Sequence, residues 1–170
     1  MPYIRTAVES DVPRCAELLG ILFSQEREFT PDAELQSRGV SMIIHQPELG
    51  RIFVAEVDGG VQGMVMLLFT VSTFLGKLVA LLEDMVVDPA WRGKGLGSLL
   101  INHAIEFARR EGLGRITLLT DRDNESAQQF YASKSFTKSE MVVFRKLLSS
   151  SSNQVSDLLQ SGPPFVPDRD

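Results

Sequence analysis

Apolar and polar positions change period along the chain, and the changes mark out an order of elements. Tyr3 to Ala7 reads as a short strand. Val12, Cys15, Leu19 and Leu22 then recur at helical spacing, and Ser10 or Asp11 stands where a helix cap belongs. Pro31 and Asp32 open a second helix, which Pro47 and Gly50 stop. Arg51–Val57 and Val61–Val71 are apolar runs joined by Asp58-Gly59-Gly60, a tight-hairpin signal. After a turn at Phe74-Leu75-Gly76-Lys77, Leu78 to Val87 is apolar at nearly every position, as in a central strand covered on both faces. A helix from Gly95 to Glu111 ends at Gly112 and Gly114, and Arg115–Thr120 is the next strand. A helix beginning near Asn124 and a last strand from Met141 to Leu147 complete the pattern.

Hairpins first and a strand–helix–strand unit later predict an α+β (mixed α/β) fold around one mixed sheet. From Ser149 the composition shifts to a serine-rich linker, and Gly162-Pro163-Pro164 cannot continue a helix. This places one domain at 1–148 and a Ser/Pro-rich tail, dispensable for chemistry, at 149–170. A Val155-Leu158-Leu159 patch in that tail is able to dock on the domain or a neighbour.

Composition narrows the function. Acidic residues outnumber basic ones, 22 to 17, which argues against nucleic acid as a partner. The single cysteine, Cys15, excludes an internal disulfide and a cysteine-based zinc cluster, and fits a reducing cytoplasm. The N-terminus lacks a signal-peptide core, and no run approaches a membrane span. His103 lies in the apolar arc of its helix without a ligand-spaced partner and His45 ends a helix, so no metal is expected. Trp91 reads as a packing anchor. Glu26, Glu28, Asp32 and Glu34 form an acidic spacing between the first two helices, best read as a solvated face.

The informative stretch is V-V-D-P-A-W-R-G-K-G-L-G-S-L-L, Val86 to Leu100. Glycines in such a loop let backbone N–H groups converge on phosphate oxygens, and the following helix N-terminus adds a favourable dipole. A P-loop needs Gly-Lys-Ser/Thr, and here Lys94 lies between glycines. The dinucleotide fingerprint needs its third glycine where Ser98 stands, early in the chain. What remains is Arg/Gln-x-x-Gly-x-Gly/Ala, met by Arg92, Gly95 and Gly97. That pattern resembles the acetyl-CoA pyrophosphate loop of the GNAT N-acetyltransferase superfamily. Asn124-x-x-Ala127-x-x-Phe130-Tyr131-x-x-x-Ser135-Phe136 resembles the second signature of the same superfamily, with Ser135 where the family usually has Gly. Ile4-Arg5-x-Ala7-x-x-x-Asp11 also resembles its opening strand and helix. The Leu-Glu-Asp-x-x-Val run at Leu82–Val87 is nearest to the diamine acetyltransferase branch.

The resemblance implies a GNAT-like central mixed sheet of about six to seven strands flanked by about four helices. It also implies acetyl transfer from acetyl-CoA, as co-substrate, to a primary amine through a tetrahedral intermediate, with no metal. The acceptor would be a small-molecule amine or amino-acid-like compound; a protein N-terminus or lysine is the alternative, and a non-catalytic acyl-CoA-binding module the third reading. A homodimer is left open. An alkylammonium has a pKa of about 10.4, so freeing the amine at pH 7 costs roughly 4.6 kcal/mol, and a nearby proton acceptor helps. Strand alternation sets Glu83 on one face with Leu81, Met85 and Val87, and Asp84 on the other. The resemblance then makes Glu83 the base, through a water, and Asp84 structural. It further implies that Tyr131 protonates the departing thiolate. Backbone N–H groups of Met85, Val86 and Val87 would hold the thioester oxygen and pantetheine amides, with Asn124 on the pantetheine. Arg92, Gly93, Lys94, Gly95, Leu96, Gly97 and Ser98 would carry the pyrophosphate.

Overall fold

The Asp58-Gly59 pair sets the sheet in register. Both residues take a positive φ, 52° and 80°, which Gly tolerates freely and Asp better than most side chains. They close a two-residue turn between β2 (Gly50–Val57) and β3 (Gly60–Ser72). In the computed structural model, which describes residues 1–25, 30–146 and 148, this hairpin lies inside a five-stranded sheet of order β1-β2-β3-β4-β5. β1 (Tyr3–Thr6), β2, β3 and β4 (Lys77–Val87) pair antiparallel; β4 and β5 (Ile116–Leu118) pair parallel.

Four α-helices cover the sheet: α1 (Val12–Phe23), α2 (Ala33–His45), α3 (Leu96–Arg110) and α4 (Glu125–Ser133). One core joins α1 and α2 to Ile52, Val54, Met64, Met66 and Val86 of the sheet. The other joins α3 to Phe53, Val65, Leu67, Ala80 and Leu82, with Phe130, Tyr131 and Phe136 packed against it. Asp32 caps α2, accepting from the Glu34 and Leu35 amides. Asp11 does not cap α1 with its side chain. Its buried carboxylate accepts two bonds from Arg5, at 2.6 and 2.9 Å, and one from the Val8 amide. Arg5 also donates to Glu56 at 2.8 Å. The Arg5 guanidinium holds the Asp11 carboxyl below its ordinary pKa. The Arg-x-Ala…Asp pattern of the first strand is therefore an ion-paired brace between β1, β2 and the start of α1.

The sheet has fewer strands than the six to seven expected. Met141–Leu147 was the expected last strand, yet residues 141–146 form none and Leu147 lies outside the described residues. An apolar, β-branched run has strand propensity, but a strand exists only where a ladder partner accepts it. Met141 and Phe144 are 87% and 92% exposed. The chain divides into two compact units, residues 1–136 and 137–170, and the second has no helix or strand among its described residues.

Candidate active site

The site is built where β4 parts from β5. The parallel ladder holds only Ala80–Leu82 against Ile116–Leu118, so β4 runs on from Glu83 to Val87 beyond the end of that pairing. On its other side β4 stays paired with β3 through Val87. The Asp88 amide donates to Gln62 O at 2.8 Å, which continues the β3–β4 register. Hydrogen-bonded pairs alternate in an antiparallel ladder, so the Val86 N–H points to β3 while those of Met85 and Val87 point into the gap. Two of the three amides expected to grip the thioester thus face the opening. Val86 is spent on the sheet.

A bulge sits at the mouth of this gap. Val65 pairs with Met85 and Leu67 with Leu82, so Met66 alone faces both Glu83 and Asp84. The extra residue reverses the alternation of β4. Before it, Ala80 and Leu82 face the α3 core; after it, Met85 and Val87 do. This corrects the facing expected from the sequence. Glu83 shares its face with Leu81 but not with Met85 and Val87; it is exposed, while Asp84 is half-buried and has a partner. Two consecutive carboxylates are tolerated here because the bulge takes them out of regular alternation.

Met85 ties the pieces together. The Tyr131 hydroxyl lies 3.9 Å from its sulfur, and a Cβ placed on Gly97 would lie 3.4 Å from its Cε. That same Cβ would lie 3.7 Å from Phe130 Cζ, so a small residue at Gly97 lets α3 start close to β4 and α4. Phe130 and Phe136 hold Tyr131 edge-to-face, with centroids 5.4 and 5.8 Å away. Burial raises the Tyr131 phenol above its ordinary pKa. Asn124 caps α4, its side-chain oxygen accepting from the Ala127 amide at 3.0 Å, a bond that does not use its Nδ2. Ser135, in the family's glycine position, takes φ 65° in the turn after α4.

The glycine loop lies at the end of β4. Asp88 caps a 3₁₀ turn at Pro89–Trp91, and Arg92 Nε donates to Val87 O at 3.1 Å. Gly93 and Gly95 have φ 73° and 84°, and Gly95 is the residue before α3. A Cβ on either would meet nothing within 4 Å, so these glycines answer a backbone requirement and border open space. Amides at a left-handed turn leading into a helix N-terminus fit a pyrophosphate. Leu96 is buried in the core, so its side chain anchors the loop while its amide belongs to the open helix end. Lys94 Nζ lies 4.3 Å over the Trp91 ring.

The remaining candidates take packing roles. His103 sits edge-on to Phe53 at 4.7 Å, and burial lowers its pKa. Cys15 is fully buried, and burial pushes its thiol up to about 12. Among the described residues no group of three or more His, Cys, Asp or Glu could hold a metal, and no helix is long and apolar enough to cross a membrane. Glu26 and Glu28 lie outside the described residues. A shallow cavity of about 370 Å³ opens at the β2–β3 turn, lined in part by Arg5, Asp11 and Arg14. Those arginines are already ion-paired, so it is not the site.

A sheet parted at a bulge, a glycine loop entering a helix and a tyrosine at the gap define an acyl-group transferase. Residues 13–136 match the acetyltransferase (GNAT) family, and the chain belongs to it. It is a GNAT-type N-acetyltransferase. An uncharacterized N-acetyltransferase of Bacillus subtilis is 32% identical over 130 residues, 75% of this chain and 85% of that one. The glucosamine 6-phosphate N-acetyltransferase of Trypanosoma brucei brucei is 32% identical over 140 residues, 78% of this chain and 87% of that one. An uncharacterized N-acetyltransferase of Methanocaldococcus jannaschii is 36% identical over 91 residues, and the match spans 40% of its length. A crystal structure of a Trypanosoma brucei acetyltransferase superposes with a TM-score of 0.68 at 26% identity, covering 86% of this chain and 100% of that one.

The sequence did not reveal Met85 as a side-chain hub, the bulge at Glu83–Asp84, or the tie between Asp88 and α1. A strand of apolar residues interrupted by two adjacent carboxylates was the available signal for the bulge.

Proposed function

We propose that the chain moves an acetyl group from acetyl-CoA to the primary amine of a small or amino-acid-like acceptor, by direct attack through a tetrahedral intermediate. The observation that carries this is the Tyr131 phenol held against Met85, beside amides directed into the β4–β5 gap. The amine nitrogen bonds to the thioester carbon, the C–S bond breaks, and the Met85 and Val87 amides stabilise the oxygen that gains charge. Tyr131 hydrogen-bonds to the departing sulfur. Its proton passes to the thiolate as the C–S bond breaks, and the proton that the amine gives up through Glu83 and water restores the phenol. Glu83, exposed at the bulge, accepts the ammonium proton through a water; Asp84 stays structural. Arg92–Ser98 carries the pyrophosphate, and Asn124 meets the pantetheine through its Nδ2. Residues 1–148 suffice for this chemistry, and the 149–170 tail is dispensable.

The relative named for glucosamine 6-phosphate supports a small amine over a protein acceptor. A screen of small amines, amino acids and peptides, read out as free thiol released from acetyl-CoA, tests the reading. Turnover confined to peptides would replace it with the protein-directed alternative. Tight CoA binding without thiol release for any acceptor would leave a binding module.

A further inference from the structure

We infer that Arg14, on α1 and outside the proposed contact residues, is a positioning residue that sets the phosphate loop through Asp88. The inference rests on the loop's assignment to acetyl-CoA. One guanidinium makes four connections. Arg14 Nε donates to Val61 O at 3.0 Å, Nη1 to Glu17 at 2.9 Å, and Nη2 to Gln62 Oε1 at 3.4 Å and to Asp88 Oδ2. Asp88 in turn accepts from the Ala90 amide at 2.9 Å, and its own amide donates to Gln62 O. The Trp91 amide closes the turn on Asp88 O at 2.8 Å. The first residue of the loop is thus clamped on one side by α1 and on the other by the β3 edge of the hairpin. From there the chain covers only Pro89 to Lys94 before Gly95, the residue that precedes α3.

A planar guanidinium fixes direction as well as distance, so it sets where Asp88 lies and from there where the loop amides point. A loop that must present several N–H groups to one pyrophosphate loses affinity when those groups wander, because binding then has to order them. The Arg14 partners surround it from α1, the β2–β3 hairpin and the loop, and the Asp88 carboxyl is held below its ordinary pKa chiefly by the Arg14 bond. A charge at this position without the fork would leave the carboxylate neutralised but free to swing.

Arg14→Gln, Arg14→Lys and Asp88→Asn in the full chain test this, with CoA binding by calorimetry and initial rates with a turned-over amine. Arg14→Gln is expected to raise Kd for CoA and KM for acetyl-CoA about tenfold with kcat within twofold, and Arg14→Lys to fall between it and wild type. The Arg14→Gln/Asp88→Asn double variant should be no weaker than the worse single one. A lowered Tm with unchanged Kd and KM in Arg14→Gln reduces the residue to scaffold and overturns the inference. Wild-type affinity in Arg14→Lys overturns the fork argument equally. If wild-type chain itself does not bind CoA, the loop assignment fails first, and that outcome is separate from either of these.

Discussion

The Tyr131 hydroxyl lies 3.9 Å from the Met85 sulfur, so an aromatic from α4 reaches the strand at the point where β4 has lost its β5 partner. In the proposed mechanism a phenol held there, with its pKa raised by burial, serves the departing sulfur and not the acceptor. Tyr131→Phe keeps the ring between Phe130 and Phe136 and removes only the hydroxyl. The expected result is unchanged CoA affinity and kcat lowered about 10²–10³-fold. Equal turnover in the two proteins would reduce Tyr131 to packing. Because burial raises the phenol's pKa, any loss of wild-type rate owed to its ionisation should begin only above its ordinary value of about 10.

Gly95→Val tests the loop. At φ 84° a branched side chain is strained, and the space it would enter is where phosphate is expected to approach. CoA-induced thermal stabilisation should vanish in this variant. Stabilisation equal to wild type would remove the phosphate assignment.

Glu83→Gln should slow transfer to amines while leaving CoA binding intact. Its deficit should shrink as pH rises toward the amine's own pKa of about 10, where free amine arrives from bulk water. Asp84→Asn should show no such rescue, since Asp84 is half-buried and has a partner while Glu83 is exposed. Identical pH behaviour in both variants, or rescue in Asp84→Asn alone, would dismiss Glu83 as the acceptor.

Ser135→Gly should stabilise the protein. A non-glycine residue at φ 65° costs about 1–2 kcal/mol, partly offset by glycine's larger unfolded-state entropy. A net gain of about 0.5–1 kcal/mol, seen as Tm higher by about 2–3 °C, is expected. No change in Tm would mean that the turn relaxes around serine without strain.

The elements were legible where local chemistry decides them. Asp58-Gly59 announced its hairpin, Asp32 its helix cap, and the loop from Arg92 to Ser98 its helix entry. What stayed hidden depends on partners distant in sequence. Asp11 is separated from Glu56 by two helices, so the sequence offered it as a helix cap and could not show that Arg5 joins the two. The bulge is a property of two strands together, and alternation read along β4 alone puts Glu83 on the wrong face. Met141–Phe144 failed for the related reason that propensity does not supply a ladder partner. Which β4 amides are left unpaired by β3 follows only from the Asp88–Gln62 bond, which no pattern along β4 reveals.

The Lys94 ammonium over Trp91 has an optical consequence. Trp91 is the single tryptophan of the chain, so all indole emission comes from the root of the loop. A cation 4.3 Å from the ring shifts that emission, and a ligand that draws Lys94 toward its own charge changes it again. With the loop assigned to acetyl-CoA as proposed, the protein would carry a one-site, label-free signal of loop occupancy, fast enough to time the arrival of one substrate independently of the other.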